Sequence, residues 1–210
     1  MDSGQIDFLA DSVYAKLMPR VSDGRVLIGI SNRHVHLSQE DLATLFGLDQ
    51  FDLYRQVRQP GEFACSQLVN VHGPKASFMN VRCMGPCRPK TQAELSMTDC
   101  RVLGLQAPVT QSGHLDSAAW VDIEGPLGTV RRQAAMVAAR HIHMGDADAA
   151  ALGLKDQDLV SVEFEGVRGG VGHNFIIRTK PNWVPEIHLD TDEANAFGVA
   201  SGDFGRILGV

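Results

Sequence analysis

The chain has 210 residues, a formal net charge of −6, 44% hydrophobic residues, 21 glycines and 9 prolines. This mix excludes collagen-like and wholly disordered chains, and the acidic balance argues against a general nucleic-acid binder. No apolar run approaches the ~18 residues that a membrane-spanning helix needs, and at the usual ~150 residues per domain the length suits one large domain or two small ones.

In chain order, residues 1–20 come first. Ile6, Leu9, Ala10, Val13, Tyr14 and Leu17 fall on one face at helical spacing, Phe8 breaks the pattern, and Pro19 ends it. The segment lacks the basic start and unbroken apolar stretch of a signal peptide. It reads as an amphipathic helix that either packs on its own domain or docks in a groove on a partner. A lone helix of this length is marginal in water, so it needs some partner surface. Ser22-Asp23-Gly24 then reads as a linker.

A unit recurs along the rest of the chain. Arg33-His34-Val35-His36-Leu37 leads into a polar, helical stretch that stops near Gly47. Arg140-His141-Ile142-His143-Met144 leads into another that stops near Gly153. A weaker version runs from Glu186-Ile187-His188-Leu189-Asp190 to Gly198. Each reads as strand, histidine, short helix, glycine stop, with Ser38 and Asp190 or Thr191 as N-caps. Between these units lie short β-rich runs at Arg25–Ile30, Leu68–His72, Ser77–Val81, Trp120–Ile123, Leu159–Phe164 and Phe175–Thr179. Gly-Pro turns at Gly73, Gly85 and Gly125 punctuate them. This pattern predicts a mainly β fold of two related barrels with small helices at their ends.

Four of the eight histidines form two His-x-His pairs, His34/His36 and His141/His143. On a strand, residues i and i+2 share a face, so each pair aims two imidazoles at one point. Two neutral imidazoles with a third ligand are how catalytic zinc is held, and such donors favour Zn²⁺ over Mg²⁺. His188 is a third-ligand candidate; His72, His114 and His173 stand outside the repeat and read as surface or core residues. Glu94, after the basic cluster Arg88 and Lys90, is either a ligand or a solvated carboxylate. Arg88 is either an anion donor or part of a solvated turn. The cysteines are Cys65, Cys83, Cys87 and Cys100. Cys83 and Cys87 resemble half of a metal site without its second pair, and reduced thiols in a cytosolic compartment are expected.

Five stretches then carry a resemblance: Ser31–Ser38, Pro60–Ala64, Arg88–Ser96, Ala138–Met144 and His188–Asn195. Together they resemble the PduL-type phosphate acyltransferases, the phosphotransacylases of bacterial microcompartments, from about Arg25 to Asp203. The resemblance implies two β-barrels capped by short helices, one from residues 23–32 plus 139–210 and one from 33–138, with a small inserted segment near 47–66. It implies two zinc ions, one held by His34, His36 and His188, the other by Glu94, His141 and His143, with Arg88 on the phosphate. It implies interconversion of acyl-CoA (propionyl-CoA or acetyl-CoA) and phosphate with acyl-phosphate and CoA, by direct attack in a ternary complex. Residues 1–20 resemble the peptides that meet shell or lumen proteins and carry such enzymes into a compartment within the bacterial cytoplasm. A homo-oligomer, dimer or larger, is also implied. Gly145 departs from the family pattern, where a capping Thr or Ser is usual. CoA is anionic, so a local basic surface is required, with Arg25, Arg33, Lys75 and Lys90 as candidates. A dinuclear zinc hydrolase and a non-catalytic metal-stapled scaffold are the competing readings of the same histidines.

Overall fold

The computed structural model describes Val21 and residues 23–210. The helix expected over residues 1–20 therefore lies outside the described residues. The chain opens with β1 (Arg25–Ser31) and β2 (His34–His36), then α1 (Gln39–Phe46). It continues through β3 (Leu53–Gln56), β4 (Phe63–His72), β5 (Ser77–Gly85), β6 (Gln92–Glu94) and α2 (Met97–Leu103). Next come β7 (Val109–Thr110), β8 (Ala119–Gly125), β9 (Gly128–Ala138), β10 (His141–Met144) and α3 (Asp146–Ala151). The chain finishes with β11 (Leu159–Phe164), β12 (Gly170–Thr179), β13 (Glu186–Asp190), α4 (Thr191–Phe197) and β14 (Phe204–Ile207).

Six strands close into each of two barrels. The first ring runs β1–β13–β10–β12–β11–β14, and β14 closes it by pairing antiparallel with β1. The second runs β4–β5–β2–β6–β9–β8 and closes through β8 on β4, while β3 and β7 are added on β4 and β9. The rings match strand for strand. Going round from β12 through β10, β13, β1, β14 and β11 meets the same order of parallel and antiparallel pairings as going from β5 through β2, β6, β9, β8 and β4. The two-barrel, internally repeated fold expected from the strand–histidine–helix unit is thus present. One barrel borrows β1 from the start of the chain.

Strand alternation explains both the cores and the outward histidines. In β10, Ile142 and Met144 are fully buried among Ile28, Phe164, Phe175, Ile177 and Ile187. That leaves His141 and His143 on the opposite face. In β2, Val35 enters the other core, with Val69, Ile123 and Ala93, and leaves His34 and His36 facing out. β6 and β13 repeat the rule: Ala93 points in while Glu94 faces out, and Ile187 and Leu189 point in while His188 faces out. Burying each Val or Ile side chain stabilises by roughly 1.5–3 kcal/mol, so a one-residue slip in any of these strands would lose both the core and the outward set.

Caps then turn each strand into a short helix. Ser38 Oγ accepts from the Asp41 amide at 3.1 Å, and Asp190 and Glu193 form a reciprocal capping box. Gly47 and Gly198 end their helices in the left-handed region at φ 68° and 65°. The structure adds a fourth copy that the sequence pattern did not separate: β6, a capping box of Ser96 and Asp99, α2, and Gly104 at φ 76°. Among the described helices, only α3 lacks a side-chain cap, at Gly145. A Cβ there would stand 2.9 Å from the Trp183 carbonyl, so the close approach of that loop explains the glycine.

Candidate functional site

The four strand–helix units deliver six ligand-type side chains as two triads. Donor atoms of His34, His36 and Glu94 lie within 4.8 Å of one another, and so do those of His141, His143 and His188. This partition corrects the one implied by the resemblance, which put His188 with His34 and His36, and Glu94 with His141 and His143. The cause is strand pairing within each barrel. β2 pairs antiparallel with β6, placing His34 opposite Glu94. β10 pairs antiparallel with β13, placing His141 opposite His188. All six residues expected from the sequence converge on one cleft; only their grouping differs.

The rings are oriented by backbone. His34 Nδ1 lies 2.9 Å from the Asn32 carbonyl, His36 Nδ1 3.1 Å from that of Met84, and His141 Nδ1 2.9 Å from that of Ala139. A ring that donates from Nδ1 keeps Nε2 as a lone-pair donor, the arrangement found around bound metals. His188 is held the other way, with Nε2 3.0 Å from Glu186 Oε2, which leaves Nδ1 free. Glu186 is itself held by Gln59, whose amide donates at 2.7 Å. It packs against Gly29, where a Cβ would stand 2.7 Å from its carboxylate. His143 is buried, lies against Trp183 with ring centroids 3.9 Å apart, and has no hydrogen-bond partner on either ring nitrogen among the described residues. A buried polar atom left so is costly unless something else binds it.

Burial and then the charge of His34 push His36 down to about 3, and burial and then His188 push His141 down to about 3. Burial also drives His143 far down, helped by His188 and His141. These rings are therefore neutral at physiological pH, the form that ligates metal. Burial alone would raise Glu94. His34 and His36 and the Ser112 hydrogen bond outweigh it and hold the carboxyl at about 2, so Glu94 is a carboxylate. Gln92 Nε2 and Ser112 Oγ both bind its Oε1, at 2.7 and 2.8 Å. Its Oε2 is turned to His34 Nε2 at 3.6 Å.

A family model described as phosphate propanoyltransferase matches residues 27–200. A relative of that name from Rhodobacter capsulatus is 40% identical over 207 residues, covering 95% of this chain and 96% of the relative. One from Rhodopseudomonas palustris is 44% identical over 185 residues (87% and 82%), and one from Salmonella typhimurium 38% over 204 (96% and 97%). The chain belongs to the phosphate propanoyltransferase family. Membership makes it an enzyme of the acyltransferase class.

The cleft of this family member has a volume of about 840 Å³ and lies between the histidine faces of the two barrels. Arg88 lines it, with Nη2 on Glu62 Oε1 at 2.9 Å and a buried Nε that has no partner among the described residues. Of the four cations proposed for an anionic substrate, only Arg33 reaches the wall. It is held there by Asp99 at 2.7 and 3.0 Å and lies over the Phe78 ring. The cleft's other cations, Arg55, Arg58, Arg82, Arg178 and Lys180, were not picked out by sequence pattern. Arg178 comes beside His143 only through the pairing of β12 with β10, which no local pattern announces. Cys83 faces the core of its barrel, burial pushes its thiol up, and no cysteine joins a metal-type cluster among the described residues. His72 braces β4 to β8, 2.7 Å from Ser77 and 3.0 Å from Glu124, and His173 pairs with Ser161 at 2.8 Å.

Proposed function

We propose that the chain is a zinc-dependent phosphotransacylase that interconverts acyl-CoA and phosphate with acyl-phosphate and CoA in a ternary complex, with propionyl-CoA or acetyl-CoA as the acyl donor. The observation that carries the reading is the pair of pre-oriented donor triads facing one cleft, with two unpartnered nitrogens on buried His143. Three nitrogen donors on one side, and two nitrogens and a carboxylate on the other, suit zinc with a coordination position left open. His34, His36 and Glu94 would hold one ion, and His141, His143 and His188 the other. Bound there, zinc supplies Lewis acidity toward the thioester carbonyl and the departing sulfur.

The remaining work falls to the chain. Arg88 offers a planar fork to phosphate, which needs positioning more than activation because it is already an anion. A phosphate oxygen forms the new bond to the carbonyl carbon, the carbon–sulfur bond breaks, and the electron pair leaves on sulfur. The proton of the phosphate monoanion or dianion ends on the CoA thiol, so no covalent acyl-enzyme is needed. In the same reading, the amphipathic pattern of residues 1–20 serves to bring the enzyme into a microcompartment lumen.

Thiol release from propionyl-CoA, with and without phosphate, combined with zinc analysis tests this. The expected result is two zinc ions per chain and release that requires phosphate. Equal release with water alone would identify a hydrolase, and absence of turnover in the zinc-loaded protein a scaffold.

A further inference from the structure

The structure assigns Arg178 as a direct receptor for inorganic phosphate, a role that rests on the phosphotransacylase reading above. β12 pairs parallel with β10, and its register sets Arg178 beside His143. Laterally paired residues share a face, so the guanidinium emerges in the same row as His143, on the cleft side. Glu186 occupies the other flank of His143 in that row.

Among the described residues this guanidinium makes no hydrogen bond or ion pair. It has one ring contact, 5.7 Å from the Trp183 centroid. Arg88 and Arg178 line the same cleft, with Glu62 and Glu94. Arg178 thus stands partly buried, unpaired, and within electrostatic reach of a second guanidinium. Two like charges facing one space are unfavourable unless an anion sits between them. Arg88 is already engaged by Glu62, whereas all five donors of Arg178 are unspent. Lys180 is two residues further on, with its ammonium 4.3 Å from the Trp183 centroid. A side pocket of about 380 Å³, walled by Arg88, Glu62, Lys180 and Trp183, opens beside the main cleft. Arg88 and Lys180 line both spaces and Arg178 lines the main cleft, where its donor fork matches two phosphate oxygens.

The test uses the zinc-loaded full chain, with Arg178→Met, which keeps much of the side chain's length without its charge, and Arg178→Lys. In the thiol-release assay Arg178→Met should raise the KM for phosphate roughly ten- to a hundredfold, the loss expected for a charged hydrogen-bonded fork. The KM for propionyl-CoA should stay within about twofold, and Arg178→Lys should recover part of the loss. A second readout needs no turnover: inorganic phosphate should raise the melting temperature of the wild type and leave that of Arg178→Met unmoved. An unchanged phosphate KM, a parallel rise in the propionyl-CoA KM, or equal phosphate stabilisation of both proteins would each overturn the assignment. Phosphate stabilisation that depends on Arg178 in a wild type without phosphate-dependent thiol release would keep the receptor and sink the transacylase reading instead.

Discussion

The two triads occupy equivalent places in matching rings, yet they distribute charge differently. His34 and His36 on β2 correspond to His141 and His143 on β10, and Glu94 on β6 corresponds to His188 on β13. In the first triad the carboxylate is a donor itself, and an amide from Gln92 steadies it at 2.7 Å. In the second the donor is an imidazole, and the carboxylate has moved one step out, to Glu186 at 3.0 Å from His188. A cation held by the first triad would be partly neutralised at once. One held by three imidazoles and no carboxylate would keep its charge toward the cleft, on the side where Arg178 stands. Equivalent scaffolds can therefore make one half suited to a neutral or thiolate group and the other to an oxyanion.

Removing a donor is the harshest way to break this comparison. His143→Ala should reduce zinc from two to one per chain by elemental analysis and lower turnover by more than about a hundredfold, beyond what outer partners cost. If His36→Ala empties both triads while His143→Ala empties neither, the triads are not separate sites. Moving the outer charge is gentler. Glu186→Gln should weaken zinc at the three-histidine triad by roughly ten- to a hundredfold in a chelator competition, with the other triad unchanged. Equal weakening of both would erase the distinction drawn here.

Acid probes the two sides together. His36 and His141 titrate near 3 in the folded chain against about 6.5 in the unfolded one. Below about pH 6.5 the unfolded chain takes up protons that the folded chain refuses, so stability held by the neutral rings is present above that pH and drains away toward pH 3. Glu94 works in the same direction at lower pH, its ionised form lost only toward about 2. Chelator-treated protein should show a melting temperature that falls steadily from pH 6.5 to pH 4; a flat profile would mean the rings are not held neutral. The smallest effect concerns the cap next to the three-histidine triad. Gly145→Ser gains at most a few tenths of a kcal/mol as an N-cap, and meets the Trp183 carbonyl at 2.9 Å. It should leave stability unchanged or lower it by about 1 kcal/mol, whereas a gain in thermal denaturation would mean that the Trp183 loop yields freely.

Much of this was legible because alternation on a strand is a strict rule. The His-x-His pairs announced both their shared face and, through Val35 and Ile142, the core behind it. The repeat also pointed to two barrels, since the same strand–helix unit recurred with glycine stops. Glu94 was harder: its unit has no histidine, and its cap, Ser96 with Asp99, signals a helix start but not a ligand. The partition of donors was not legible, because which strand lies beside β2 or β10 is a matter of pairing across some 50 residues, and local pattern carries no register for that. Arg178 and Glu186 escaped for the same reason. Each matters through its lateral neighbour His143, not through its neighbours in sequence.

The barrel that borrows β1 has a consequence for how the protein is made. Among the described residues β1 pairs only with β13 and β14, far along the sequence. During synthesis the ring of β2, β4, β5, β6, β8 and β9 has all its strands long before β1 finds a partner, and domains generally fold as they emerge. β1 must wait, without its partners, until β13 and β14 have been made. A truncated product would then carry one completed ring and an orphan strand, and could never assemble half a cleft into a working one.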